Sequence, residues 1–237
     1  MLKSKCDKRI SMKIVIIGSC SARKDDSVPI SQNSRIVEPA YYLNDRKLLN
    51  RLYHIRNSIF QKPQTSFGSK ITYAFDLYVR AGNAYKELFK KKYDQLKSAL
   101  LSTSNIEFFF LSGGYGIIHA LEAARKYQAT FNKTIAKNNS IPYTTNLWSN
   151  TLPPILDDII SKFNPSWVYV FGSQDYTNFV KQTKAWISRP NIKIFESTGQ
   201  KGPNWLSPII NECVESILDN RLTSFNNKYP NNFVKQK

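Results

Sequence analysis

Two rhythms of apolar and polar positions alternate along this chain. The runs Ile14–Ile17, Ile106–Ser112, Ser166–Phe171 and Ile192–Phe195 are short, nearly unbroken and rich in Ile, Val and aromatics, as strands buried on both faces are. Between them apolar residues recur three or four positions apart. Leu48, Leu49, Leu52 and Ile55, with Ile59 beyond, predict a basic amphipathic helix with its cations on the other face. Leu77, Ala81, Ala84, Tyr85, Leu88, Leu96 and Leu100 predict one long helix over 72–101. Further helices are predicted from Ile117 to Lys126, over 144–163 with a kink or split at Pro153-Pro154, after Asp175 through Ile187, and over 207–222. Residues 127–140 read as irregular and polar.

Strands separated by helices spell an α/β fold, a Rossmann-like and mostly parallel sheet flanked by helices. The 237 residues fit one such domain, 1–237, with a polar extension over 1–12, an insertion over 25–70 after the first strand, and a flexible tail over 226–237. Three strands leave through small polar residues and glycine: Gly18-Ser-Cys-Ser21, Leu111-Ser-Gly-Gly-Tyr-Gly116 and Phe171-Gly-Ser-Gln-Asp-Tyr176. A parallel sheet brings such exits to one edge, where open α/β sheets bind ligands, so the three predict a single polar pocket. Gly113, Gly114 and Gly116 would permit positive φ and close approach of backbone to a ligand. Neither the Walker spacing nor Gly-x-Gly-x-x-Gly occurs at these turns.

Charge narrows the partners. Lys and Arg number 34 against 17 Asp and Glu, a net charge of +17. A field of that size attracts polyanions, with nucleic acid first among them and DNA ahead of RNA. Compositional drift toward Lys would raise the bases but does not explain the shortage of acids. Apolar residues at 41% and aromatics at 13% exclude a disordered tail. Cys6, Cys20 and Cys213 are odd in number and widely spaced, which suits a reducing, cytoplasmic setting better than a disulfide frame. His54 and His119 are the only histidines, too little material for a His/Cys zinc site, and neither metal nor cofactor is expected. No apolar run approaches the roughly 18 residues of a membrane span, so no membrane partner is expected either. The oligomeric state is not legible.

The first exit carries the most chemistry. Ser19, Ser21 and backbone N–H groups can donate, and Arg23 can grip two oxygens of a phosphate. Cys20, beside Arg23 and Lys24 near a helix start, is expected to have a more acidic thiol than a free cysteine; the alternative is a partly buried structural thiol. A Cys–His dyad would need His119, brought in by folding. Lys24 serves as a phosphate ligand or, if desolvated, as a catalytic amine. Tyr115, Tyr127 and Tyr176 could stack on a base or donate to phosphate, or be buried with satisfied hydroxyls. Asp157-Asp158 reads as a solvated face or a helix-dipole partner rather than an acid pair.

Cys20-Ser-x-x-Lys24, Ala74-Phe-Asp-Leu-Tyr78, Leu111-Ser-Gly-Gly-Tyr-Gly-Ile-Ile118, Tyr127-x-x-Thr130, a helix bearing Trp148, and Val170-Phe-Gly-Ser-x-x-Tyr176 follow one another in an order that resembles the YaaA-like family. That family includes a peroxide-stress protein and many small bacterial and phage proteins. Cys-Ser-Ala-Arg-Lys also resembles a loop of the archaeosine synthase domain that handles a deazaguanine base in tRNA. The Pro-Tyr and Ser-x-x-His that follow that loop in the archaeosine enzyme are absent, and Gly113 stands where Ala is commoner. The resemblance, over roughly residues 13–180, implies a Rossmann-like fold tied to DNA binding, oxidative-damage protection or nucleobase modification. Carried over, its pocket is Ser19, Cys20, Ser21, Lys24, Asp76, Tyr78, Ser112, Tyr115 and Gly116, to which Gly172 and Tyr176 at the third exit are added.

The leading expectation is a nucleic-acid-associated protein that binds or modifies a nucleobase or nucleotide, of the nucleobase-modifying or glycosidase/transferase kind if it is an enzyme. Arg23 and Lys24 would hold phosphate, Cys20 or Ser112 would be nucleophile or oxyanion donor, and Tyr115 would stack. A non-catalytic DNA-binding protein of stress or defence is the alternative. A nucleotide hydrolase or ribosyltransferase acting on small metabolites is the third.

Overall fold

The computed structural model describes residues 12–102, 105–199 and 201–236. The extension over 1–11, with Cys6, lies outside the described residues. Strand β1 (Ile14–Ser19) leads into helices α1 (Pro39–Tyr42) and α2 (Arg46–Phe60), then β2 (Thr72–Tyr73), α3 (Ala74–Val79), α4 (Lys86–Lys91) and α5 (Tyr93–Leu101). A hairpin of β3 (Ile106–Ser112) and β4 (Gly116–His119) follows, with β5 (Ala123–Ala124), α6 (Lys133–Asn139), α7 (Thr145–Trp148) and α8 (Leu152–Phe163). The chain closes with β6 (Trp167–Ser173), α9 (Gln174–Lys181), α10 (Lys184–Ser188), β7 (Ile192–Ser197), α11 (Gly202–Leu218), α12 (Leu222–Lys228) and β8 (Phe233–Lys235).

The main sheet runs β4-β3-β1-β6-β7-β8, parallel except for the antiparallel β3–β4 pair. The fold is therefore α/β and Rossmann-like. Ile14, Val15, Ile16 and Ile17 are buried, which is why β1 reads as a continuous apolar run rather than an alternating one. From β1 the chain moves out to β3 on one side and returns to β6 on the other, so the strand order reverses between β1 and β6. Among the described residues no helix is long and apolar enough to cross a membrane.

Several expectations are corrected. The long helix over 72–101 is instead β2 followed by three short α-helices and a 3-10 turn at Asn83–Tyr85. Gly82 interrupts it, where an added Cβ would lie 2.6 Å from the Tyr78 carbonyl oxygen. Residues 117–126 hold no helix but the end of β4 and the short β5, because the glycine turn sends the β-branched Ile117-Ile118 back along β3. Lys133–Asn139 is helical, capped by the Asn132 side chain accepting from Ile135 N at 2.8 Å. The tail does not fray throughout: α12 packs on α11, and β8 pairs parallel with β7. In the insertion, α2 starts at the Asp45 cap and buries Leu52, Ile55 and Ile59 as expected, but Arg56 is buried with them. Its guanidinium pairs with Glu122 and donates to the Tyr115 carbonyl at 2.9 Å, fastening the insertion to the β3–β4 hairpin.

Candidate functional site

The three exits do meet at one edge, because β3, β1 and β6 are adjacent and parallel. Cys20 N donates to the Leu111 carbonyl at 2.7 Å, carrying β1 one residue past its last strand pair. There the Cys20 thiol lies 3.5 Å from the Tyr176 hydroxyl, at the start of α9. A Cβ on Gly172 would sit 3.4 Å from that of Ser19, so glycine lets β6 and the β1 exit close on each other. This is the reversal point of the sheet, the place where open α/β folds take their ligands.

Lys24 folds back under the same edge. Its ammonium lies 4.3 Å over the Tyr127 ring, and burial lowers its pKa, an effect partly opposed by the nearby Cys20 sulfur. Below it, the Tyr127 hydroxyl is 2.6 Å from Ser112 Oγ and accepts from the Tyr78 hydroxyl at 3.1 Å. The Tyr85 hydroxyl donates to the Ser19 carbonyl. Burial first, and the Cys20 sulfur second, raise the pKa values of Tyr78, Tyr85, Tyr127 and Tyr176 well above the ordinary phenol value. Four neutral phenols therefore stand around a half-exposed thiol and a half-buried amine. Ser19, Cys20, Ser21 and Tyr176 remain half-exposed, and Arg23 projects into solvent.

The other candidates are placed differently. Asp76 is buried and accepts from the Tyr93 hydroxyl and from Lys97 Nζ at 2.8 Å, so it fastens α3 to α5 and makes no bond to the Cys20 cluster. Ser112 is not free to act as a nucleophile: it is engaged by Tyr127 and Tyr78, and accepts from Tyr115 N at 3.0 Å. Tyr115 does not offer a face at this edge. Its ring packs on Phe60 and Tyr127, and its hydroxyl accepts from Arg125 N at 2.8 Å. The glycine turn is filled by the protein itself. A Cβ at Gly113 would meet Thr130 backbone at 2.6 Å, one at Gly114 the Tyr127 ring at 2.6 Å, and one at Gly116 the Trp148 ring at 2.5 Å. Of the three, Gly116 has positive φ, +71°. His119 supports no dyad, since Glu107 and Leu121 N occupy its two ring nitrogens at 3.0 and 3.1 Å. Asp157 accepts from Lys184 N and Ala185 N, the dipole-partner role at the start of α10.

Tyr85 escapes a sequence reading. Its place in an apolar stripe is filled, yet its hydroxyl reaches the site, and the one clue is that Gly18 has no side chain to block it. Among the described residues no three His, Cys, Asp or Glu side chains converge as metal ligands. A separate open cleft of about 420 Å³ lies against Tyr115 rather than Cys20, lined by Phe67, Ile71, Tyr115, Ala123 and Arg125. No protein-family model matches the chain, and no curated protein matches it.

Proposed function

We propose that this chain binds, and chemically acts on, a nucleobase or nucleotide carried by nucleic acid at the edge where β1 and β6 part. The observation that carries the reading is the half-buried Lys24 amine, held over the Tyr127 ring beside the Cys20 thiol and with its pKa lowered by burial. A thiol can add to an electrophilic ring carbon as the C=N π bond opens, its S–H proton passing to an amine whose pKa burial has lowered and from there to the adjacent ring nitrogen. Ser112 and Tyr78 then act as anchors that fix Tyr127, and Arg23 is the solvent-facing phosphate contact. The order of motifs resembling the YaaA-like family supports a nucleobase ligand, and the charge of +17 supports nucleic acid as its carrier. A base in a duplex must be flipped out or presented single-stranded to reach this edge. The charge alone would equally favour a non-catalytic DNA-binding protein, which needs no buried amine.

Ligand protection separates the two. Cys20 is alkylated with iodoacetamide and followed by peptide mass spectrometry, with buried Cys213 as the internal control. Nucleosides, 5′-monophosphates and single- or double-stranded oligonucleotides are the competitors. At least one class is expected to slow Cys20 labelling several-fold, and Lys24→Met is expected to abolish that protection. Labelling indifferent to every competitor, at concentrations where DNA binds, would remove the site from the reading.

A further inference from the structure

The open cleft has a composition of its own. Phe67 and Ile71 are 39% and 44% exposed, an uncommon place for two large apolar side chains in one concavity. Phe67 stacks on Phe60 with ring centroids 4.4 Å apart and planes 21° from parallel, and the Arg125 guanidinium lies 5.4 Å over the Phe67 ring. The walls are tied together: Gly68 N donates to the Lys126 carbonyl at 2.8 Å, and Arg125 N to the Tyr115 hydroxyl at the same distance. Exposed aromatics and arginine planes held rigid in this way are how proteins stack unpaired bases. Electrostatics match that occupant. Among the described residues the lining Arg125 has no carboxylate in an ion pair, while its neighbour Lys126 is paired with Asp26 at 2.8 Å.

The cleft is also joined to the Cys20 edge. Tyr115 forms its wall and meets Tyr127 edge to face at 5.3 Å, and Lys24 lies over that same Tyr127 ring. The Asp26–Lys126 pair fastens the loop leaving Lys24 to the cleft rim. We infer that the cleft holds one unpaired base of a nucleic-acid strand against Phe67, with its phosphate on Arg125, while a nearby nucleotide of the same strand reaches the Cys20–Lys24 edge. The second half of this statement rests on the function proposed above. It makes the ligand a single strand rather than a free nucleotide.

The test is fluorescence anisotropy of a short labelled single strand with Phe67→Ala, Phe67→Trp and Arg125→Gln, each checked for folding by circular dichroism. Phe67→Ala is expected to weaken binding about tenfold, the effect of losing one stacked base, and Phe67→Trp to restore it. An abasic site scanned along the strand should find one position where the parent loses about the same factor and Phe67→Ala loses nothing more. Free mononucleotides should bind far more weakly than the strand. Affinities like the parent's in both Phe67→Ala and Arg125→Gln would overturn the inference. So would a loss in Phe67→Ala that no abasic position reproduces, which is what a peptide or a purely phosphate-binding surface gives. Protection of Cys20 by saturating competitor should be untouched by these variants. If no competitor class protects Cys20 in the parent while the Phe67 cycle holds, the function proposed for Cys20 fails and the cleft stands.

Discussion

Lys24 shows how much can turn on one side chain. Folding moves its amine from water to the face of Tyr127 and lowers its pKa, whereas in the unfolded chain it titrates near about 10.4. The unfolded state therefore binds more protons between the folded value and about 10.4, and this residue makes stability rise with pH across that window. Below the window the cost of desolvating the charge is borne in full. Lys24→Met is accordingly expected to raise the urea midpoint at pH 7, with the advantage shrinking as pH climbs toward 10. A Met variant less stable than the parent at pH 7, or an advantage that does not shrink, would contradict a desolvated charge here. Proteins that keep such a destabilising group generally keep it for activity. The sequence offers Lys24 as a candidate, but its burial depends on Tyr127, more than a hundred residues away, and so could not be read locally.

At the scale of elements, the β3–β4 hairpin decides where the site residues stand. Its turn needs Gly116 at φ +71°, with the Trp148 ring where a side chain would go. Gly116→Ala is expected to destabilise the fold by about 2–4 kcal/mol, combining left-handed strain with overpacking against Trp148. Chemical denaturation measures this, and a change below about 0.5 kcal/mol would mean that the turn relaxes freely. The same hairpin shows what the sequence did and did not disclose. Four buried strands were legible because their apolar runs are unbroken. Ile117-Ile118 was not, since apolar residues after a glycine cluster fit a helix start as well as a returning strand. Arg56 departs from its expected face for a related reason: periodicity assigns cations to the wet face, and the buried Glu122 that attracts it lies in a distant segment. The short helices between β2 and β3 share one apolar stripe, and only Gly82 marks where it breaks.

At the scale of the whole molecule, an excess of seventeen positive charges sets the expected behaviour toward polyanions. Single-strand and duplex affinities should fall linearly with salt on logarithmic axes, with slopes of about −3.5 and about −4.5 respectively if some five phosphates are neutralised. Titration at several salt concentrations tests this, and a flat line would remove nucleic acid as a partner. The convergence of three exits was legible because parallel pairing follows from the alternation of strands and helices. Which residues line the meeting point was legible only in part: Cys20, Lys24, Tyr127 and Tyr176 come together, while Asp76 turns to another helix and Tyr115 to another cleft.

The strand made first in this sheet is also its centre. Ile14–Ser19 finds its two neighbours only at residues 106–112 and 167–173, so during translation a greasy, β-prone segment waits for several seconds at ~5–20 residues per second. Nascent chains cut short before β6 should thus be chaperone clients prone to clumping. Cells making this protein would then need holdase capacity in proportion to its synthesis.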